Sequence, residues 1–143
     1  MHKEVIMADE LKQEQLDLIQ MVQRGRMAHD AQAQPSQMTG VYWLEAKPLG
    51  SYPVPTARAG EWRIPTSTAA MDALWARIKA ATEAGELGYK AKISTTPAHG
   101  QADADARMIV VRTVDADDTA DVERVRAALR ALGIDAEITY TRV

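Results

Sequence analysis

No cysteine occurs among the 143 residues, so disulfides, thiolate metal sites and cysteine nucleophiles are excluded, and a reducing compartment such as the cytoplasm is expected. Long apolar runs are missing as well. Nothing approaches the roughly 18 residues of a membrane span, and Met1-His2-Lys3-Glu4 does not follow the basic-then-apolar order of a signal peptide. Phenylalanine is absent and only 3 tryptophans are present, so each tryptophan left outside the core forgoes scarce apolar area. There is no phosphate-cradling glycine loop, no Gly-x-Ser-x-Gly elbow and no dinucleotide fingerprint, which excludes nucleoside triphosphate hydrolysis. His2, His29 and His99 are scattered without ligand spacing. Asp103-Ala104-Asp105 and Asp115-Ala116-Asp117-Asp118 lack the rest of a calcium loop. Neither a metal nor a cofactor is expected.

An excess of positive charge is also lacking. The net charge of −3 speaks against extended nucleic acid, whose sequence-independent binding needs many cations releasing counterions. The charge is unevenly spread: residues 41–114 carry nine Lys/Arg against seven Asp/Glu, while residues 1–40 carry four against six and residues 115–143 four against seven. The middle of the chain is where a small anion fits best. Hydrophobic residues at 46% and charged residues at 26% are an ordinary globular balance in a chain of one-domain size.

The elements follow from periodicity. Residues 8–33 hold good helix formers with Leu11, Leu16, Leu18, Ile19, Val22 and Met27 as their apolar positions, predicting a helical arm over residues 1–40 that serves as a peripheral helix or packs on a partner. Strands are predicted at 41–45, 61–64, 88–95, 107–114 and 134–141, and helices at about 66–84 and 118–132, with a long loop at 47–60 containing three prolines. Thr66, Ser67 and Thr68 offer N-cap oxygens, and Gly85 and Gly133 stand at helix ends. Residues 41–143 therefore read as one α+β domain with an antiparallel or mixed sheet and its helices on one face.

Alternation along the strands places candidate chemistry. Lys90, Lys92 and Ser94 share a face, Glu61 and Arg63 share a wet face, and Arg107 and Arg112, five apart, point to opposite sides unless a strand end bends. Converging lysines and guanidinium groups suit phosphate or carboxylate; the alternative is a solvated face carrying charge for solubility. Trp62 and Trp75 fall on apolar faces and read as core, whereas Trp43 is placed to stack on a ligand if Tyr42 and Leu44 face inward.

Gly60-Glu61-Trp62, the helix bearing Trp75, Gly88 to Thr95 and Arg107 to Thr113 together resemble the C-terminal half of the cap-binding translation initiation factors of the 4E type. Gly85-Glu86-Leu87-Gly88 followed by Ala91-Lys92-Ile93-Ser94 is more similar still to the family named after a basophilic-leukaemia-expressed protein, whose members carry the label of phosphothreonine lyase. The resemblance covers roughly the last 80 to 100 residues. It implies a curved, mostly antiparallel sheet with helices on one face, and it puts Lys92 and Arg107 at phosphate-clamp positions. The loop that should supply a stacking aromatic has only Tyr52, and the base-reading Trp-Glu pair is absent, so a nucleotide cap is not expected.

Three functions follow. A binding module would hold a small phosphorylated anion or a phosphopeptide on the concave sheet face through Trp43, Arg63, Lys90, Lys92, Ser94, Arg107 and Arg112. A lyase acting by β-elimination would use Lys92 or Lys90 as base and His99 as acid, with Arg63, Arg107 and Arg112 on the phosphate. An adaptor would dock a protein partner, or a second copy of the chain, through the N-terminal helix.

Overall fold

In the computed structural model residues 12–19 and 34–143 are described, and the chain divides into two units, Met1–Ala33 and Gln34–Val143. Residues 34–40, assigned by sequence to the arm, belong to the second unit. In the first unit residues 12–19 form helix α1, with Leu16, Leu18 and Ile19 exposed. The remainder of the helix expected over 8–33 lies outside the described residues.

The second unit opens on a 3₁₀ turn, Pro35–Gln37, docked on the first turn of a helix: Ser36 donates from its amide and its hydroxyl to the Asp72 carboxylate at 2.9 and 2.5 Å. There follow β1 (Trp43–Ala46), β2 (Gly60–Ser67), α2 (Met71–Glu83), β3 (Lys90–Ser94), β4 (Ala106–Thr113), α3 (Thr119–Ala131) and β5 (Thr139–Arg142). The five strands form one sheet in the order β1-β3-β4-β2-β5, every neighbouring pair antiparallel. The expected α+β class is thereby observed.

Parity decides what lies on each side. Ile93, Ile109, Val111, Trp62 and Ile64 alternate onto one face, and Trp75 and Ile78 of α2 and Val125 and Leu129 of α3 join them in a single core cluster. Both helices therefore cover the same face. Burying each such side chain stabilises the fold by about 1.5–3 kcal/mol, which the opposite face, with its alternate charged residues, does not gain. Trp62 and Trp75 are core, as expected, and the Trp62 indole donates to the Val122 carbonyl at 3.0 Å, tying β2 to α3.

Two boundaries differ from the sequence reading. Thr66 and Ser67 continue β2 opposite Arg107 and Ala106 instead of capping α2, whose N-cap is Ala70 without a side-chain cap. β4 is long enough to pair them, and ladder hydrogen bonds win over a cap. The last strand is shorter than 134–141, because Ile134 is committed to the core and only Thr139–Arg142 pairs with β2. Gly85 and Gly133 end their helices at φ +78° and +90°, as their positions predicted.

Candidate functional site

On the open face the same parity gathers Trp43 and Glu45 from β1, Lys90, Lys92 and Ser94 from β3, Arg112 from β4, and Glu61 and Arg63 from β2. Four cations thus share one surface with two carboxylates. Lys92 lies directly across from Glu45 and Val110 in the ladder, yet Glu45 takes Lys90 instead, with Lys90 Nζ 2.8 Å from its Oε1. Lys92 Nζ leans over the half-buried Trp43 ring, 4.3 Å from its centroid. Among the described residues no carboxylate lies within 4.0 Å of it. Burial, and next the charge of Arg112, hold its pKa below the ordinary lysine value, with Glu61 opposing. Glu45 is held below the ordinary carboxylate value by its hydrogen bond to Lys90, against some desolvation.

Glu61 is the face's internal counter-ion. The sequence put it on a wet face, but it is only 7% exposed. The reason is that Arg63 and Arg112 close over it, their Nε atoms 3.2 and 3.5 Å from its two oxygens. The Arg112 contact is an ion pair without hydrogen-bond geometry, so its buried Nε is held by charge alone.

Two hollows flank Lys92 along β3. One, of about 220 Å³, is lined by Tyr42, Trp43, Arg63, Ser94, Arg107 and Met108 among others. The other, a groove of about 430 Å³, runs beneath the 47–59 loop and is lined by Lys47, Tyr52, Pro53, Tyr89, Lys90 and Arg112 among others. The loop over that groove is fastened at several points. Leu49 N–H donates to the Glu83 carbonyl at 3.0 Å, Thr56 N–H to Val114 at 2.9 Å, and the Tyr52 hydroxyl to Leu87 at 2.6 Å. Tyr52, which sequence put at a stacking position, is thus committed to the scaffold.

The structure brings Trp43, Arg63, Lys90, Lys92, Ser94 and Arg112 onto one face. It does not pair Lys92 with Arg107. Arg107 has the parity of Ile109 and Val111, and its guanidinium curls back to donate to the Ala104 and Ala106 carbonyls, both at 2.8 Å. It reaches the smaller hollow only as part of its wall. The Ser94 hydroxyl accepts from Met108 N–H at 2.9 Å and extends the β3–β4 ladder by one bond. His99 is exposed in its loop, and it is the neighbouring Ala98 and Gln101 that line the hollow. Among the described residues no group of three His, Asp or Glu is placed to hold a metal ion, and no helix is long and apolar enough to cross a membrane. Lys47, Glu45 and Glu61 were not among the site residues expected from sequence. Alternation did set Glu61 beside Arg63 on the wet face and puts Glu45 on the side of Trp43, whereas Lys47 sits in a loop where no period applies.

The glycines that open two strands have steric duties here. A Cβ on Gly88 would lie 1.7 Å from the Arg112 carbonyl oxygen, and one on Gly60 would lie 2.0 Å from the Tyr140 hydroxyl. Both belong to the residues on which the family resemblance rested. No curated protein matches the chain. Residues 55–140, most of the second unit and over half of the whole sequence, match the family of the basophilic leukemia-expressed protein Bles03, and the chain belongs to that family.

Proposed function

We propose that the open sheet face binds a phosphate-bearing anion, either a small molecule or the phosphorylated side chain of a peptide. The observation that carries this reading is Lys92, a cation half withdrawn from water over Trp43 and without a carboxylate partner among the described residues. Arg112, whose charge acts on Lys92, adds a second cation to the same face. An ammonium and a guanidinium on one face suit a phosphate better than a single charge, since charge-assisted hydrogen bonds in a partly dry site are the strong ones. The family resemblance of the sequence supports the same ligand class.

The test is a tryptophan-fluorescence titration with inorganic phosphate and with a phosphothreonine peptide at low salt. Trp62 and Trp75 are buried in the core between the sheet and the helices, so the change in emission comes from Trp43 as Lys92 shifts toward the anion. Lys92→Ala should weaken binding about tenfold or more, the value of one charge-assisted bond. Wild-type protein that titrates with neither anion would overturn the reading.

A lyase is favoured by one further observation, the depressed pKa of Lys92, which leaves more of the amine free to accept a proton. In that reaction Lys92 Nζ takes the α-proton of a phosphothreonine, the released electron pair forms the Cα–Cβ double bond, and the Cβ–O bond breaks with phosphate leaving. Arg112 and Arg63 would hold the phosphate, and the acid role has no support from His99 in its exposed position. Mass spectrometry decides: a dehydrated peptide plus phosphate establishes the lyase, and an unchanged peptide leaves the binding module. An adaptor role rests on exposed Leu16, Leu18 and Ile19, and removing residues 1–33 should then change the mass of the assembly in solution.

A further inference from the structure

We infer that the ligand is an extended phosphopeptide read at three alternate positions, with an apolar residue two places to one side of the phosphorylated one and an acidic residue two places to the other. This rests on the phosphate reading above and adds what flanks the phosphate. Lys90, Lys92 and Ser94 are successive ligand-facing positions of β3, so they stand about 6.8 Å apart along the strand. An extended peptide laid along β3 presents every second side chain at the same spacing. With its phosphate at Lys92, its neighbours two residues away fall over Ser94, which is buried in the lining of one hollow, and over Lys90, which lines the other.

The hollows differ in chemistry. The one at Ser94 is walled by Tyr42, Trp43 and Met108. Arg63 is paired with Glu61 and a terminal nitrogen of Arg107 with its own loop carbonyls, and the rest of the wall is largely aromatic and aliphatic, so it suits an apolar side chain. The groove at Lys90 has Lys47 and Arg112 in its walls. Lys90 is already neutralised by Glu45 and Arg112 is paired with Glu61, but Lys47 has no ion-pair partner among the described residues. That end suits a carboxylate. Arg112 lines the groove and also acts on Lys92, so the phosphate and acidic subsites share one guanidinium. The fastened 47–59 loop keeps the groove open before anything binds, which spares the ligand the ordering cost.

Four synthetic heptapeptides on an alanine background test this by the Trp43 emission. The first carries phosphothreonine alone. The second adds leucine two residues before it and glutamate two residues after, the third reverses that order, and the fourth moves the glutamate one residue closer. The expected result is that the second or the third binds about tenfold tighter than the first, and that the fourth loses the part of the gain due to glutamate. In Lys47→Ala, at an exposed position, the ratio of affinities with and without the glutamate should collapse toward one. If the first peptide binds but neither flanked peptide improves on it, or if the shifted glutamate serves equally well, the spacing argument is wrong while phosphate binding stands. If none of the four binds, both are wrong.

Discussion

Lys92 turns away from Glu45, its partner across the ladder, and settles on Trp43. This one side chain connects sequence pattern, burial and charge. Because its folded pKa is depressed, folding disfavours the ammonium form. The cost is present in full below the folded pKa, and it lifts as pH rises from there to the ordinary lysine value. Anion binding runs the opposite way, since only the ammonium attracts phosphate. Phosphate affinity is therefore expected to fall on alkalinisation at a pH below the ordinary lysine range. Lys92→Arg, whose charge does not titrate there, should flatten the profile; titrations across the alkaline range check both. The residue scale also shows what the sequence could not disclose. Alternation put Lys90, Lys92 and Ser94 together and gave Arg63 a wet face, because a period of two needs only a strand; it left open which of Arg107 and Arg112 faces the site, and the pairing of β4 decides for Arg112. It could not foresee that Arg107, at a strand end, bends to its own loop carbonyls, or that Glu61 is roofed by two arginines from neighbouring strands. The Arg112 contact with Glu61 depends on register, which a single strand does not carry, and the turn of Arg107 depends on the path of the loop before β4.

Among the elements, the entry to β3 is the most tightly specified. Gly88 presses against the Arg112 carbonyl oxygen while the next amide, Tyr89 N–H, donates to that same oxygen at 3.0 Å. The neighbour is backbone inside a paired strand and cannot yield. Gly88→Ala should cost at the upper end of the roughly 1–3 kcal/mol of overpacking, or more. Gly60→Ala meets the tip of Tyr140, which can swing away at the loss of its 2.7 Å hydrogen bond with Thr113, and should cost less. Urea midpoints of the two variants give the ranking. The helices were legible because their stripes and stop glycines agree, and α3 begins as its sequence says, with the Asp118 carboxylate accepting from Asp121 N–H at 3.2 Å. The start of α2 and the length of β5 were not, since each was set by what a partner strand or the core could take.

At the scale of the whole second unit, stability is graded across the sheet. β4 stands between β3 and β2, with Ile109, Val110 and Val111 buried on both faces, whereas β1 and β5 are edge strands of four residues each. Amide hydrogen exchange is expected to be slowest at Ile109–Val111 and fastest, among strand amides, at the outer edges of β1 and β5. Uniform protection across all five strands would contradict this. Across the same unit Arg124 of α3 acts as a knot. Its terminal nitrogens donate to the carbonyls of Glu86 and Leu87 at 3.1 and 3.0 Å and to the Tyr52 hydroxyl at 3.1 Å, while its Nε holds Asp121 at 3.0 Å. One guanidinium thus bolts the rim of the groove to a helix on the far side of the sheet. Cutting that bolt, as in Arg124→Ala, is expected to free the Tyr52 end of the groove from α3, read as faster hydrogen exchange at the rim than in the native protein.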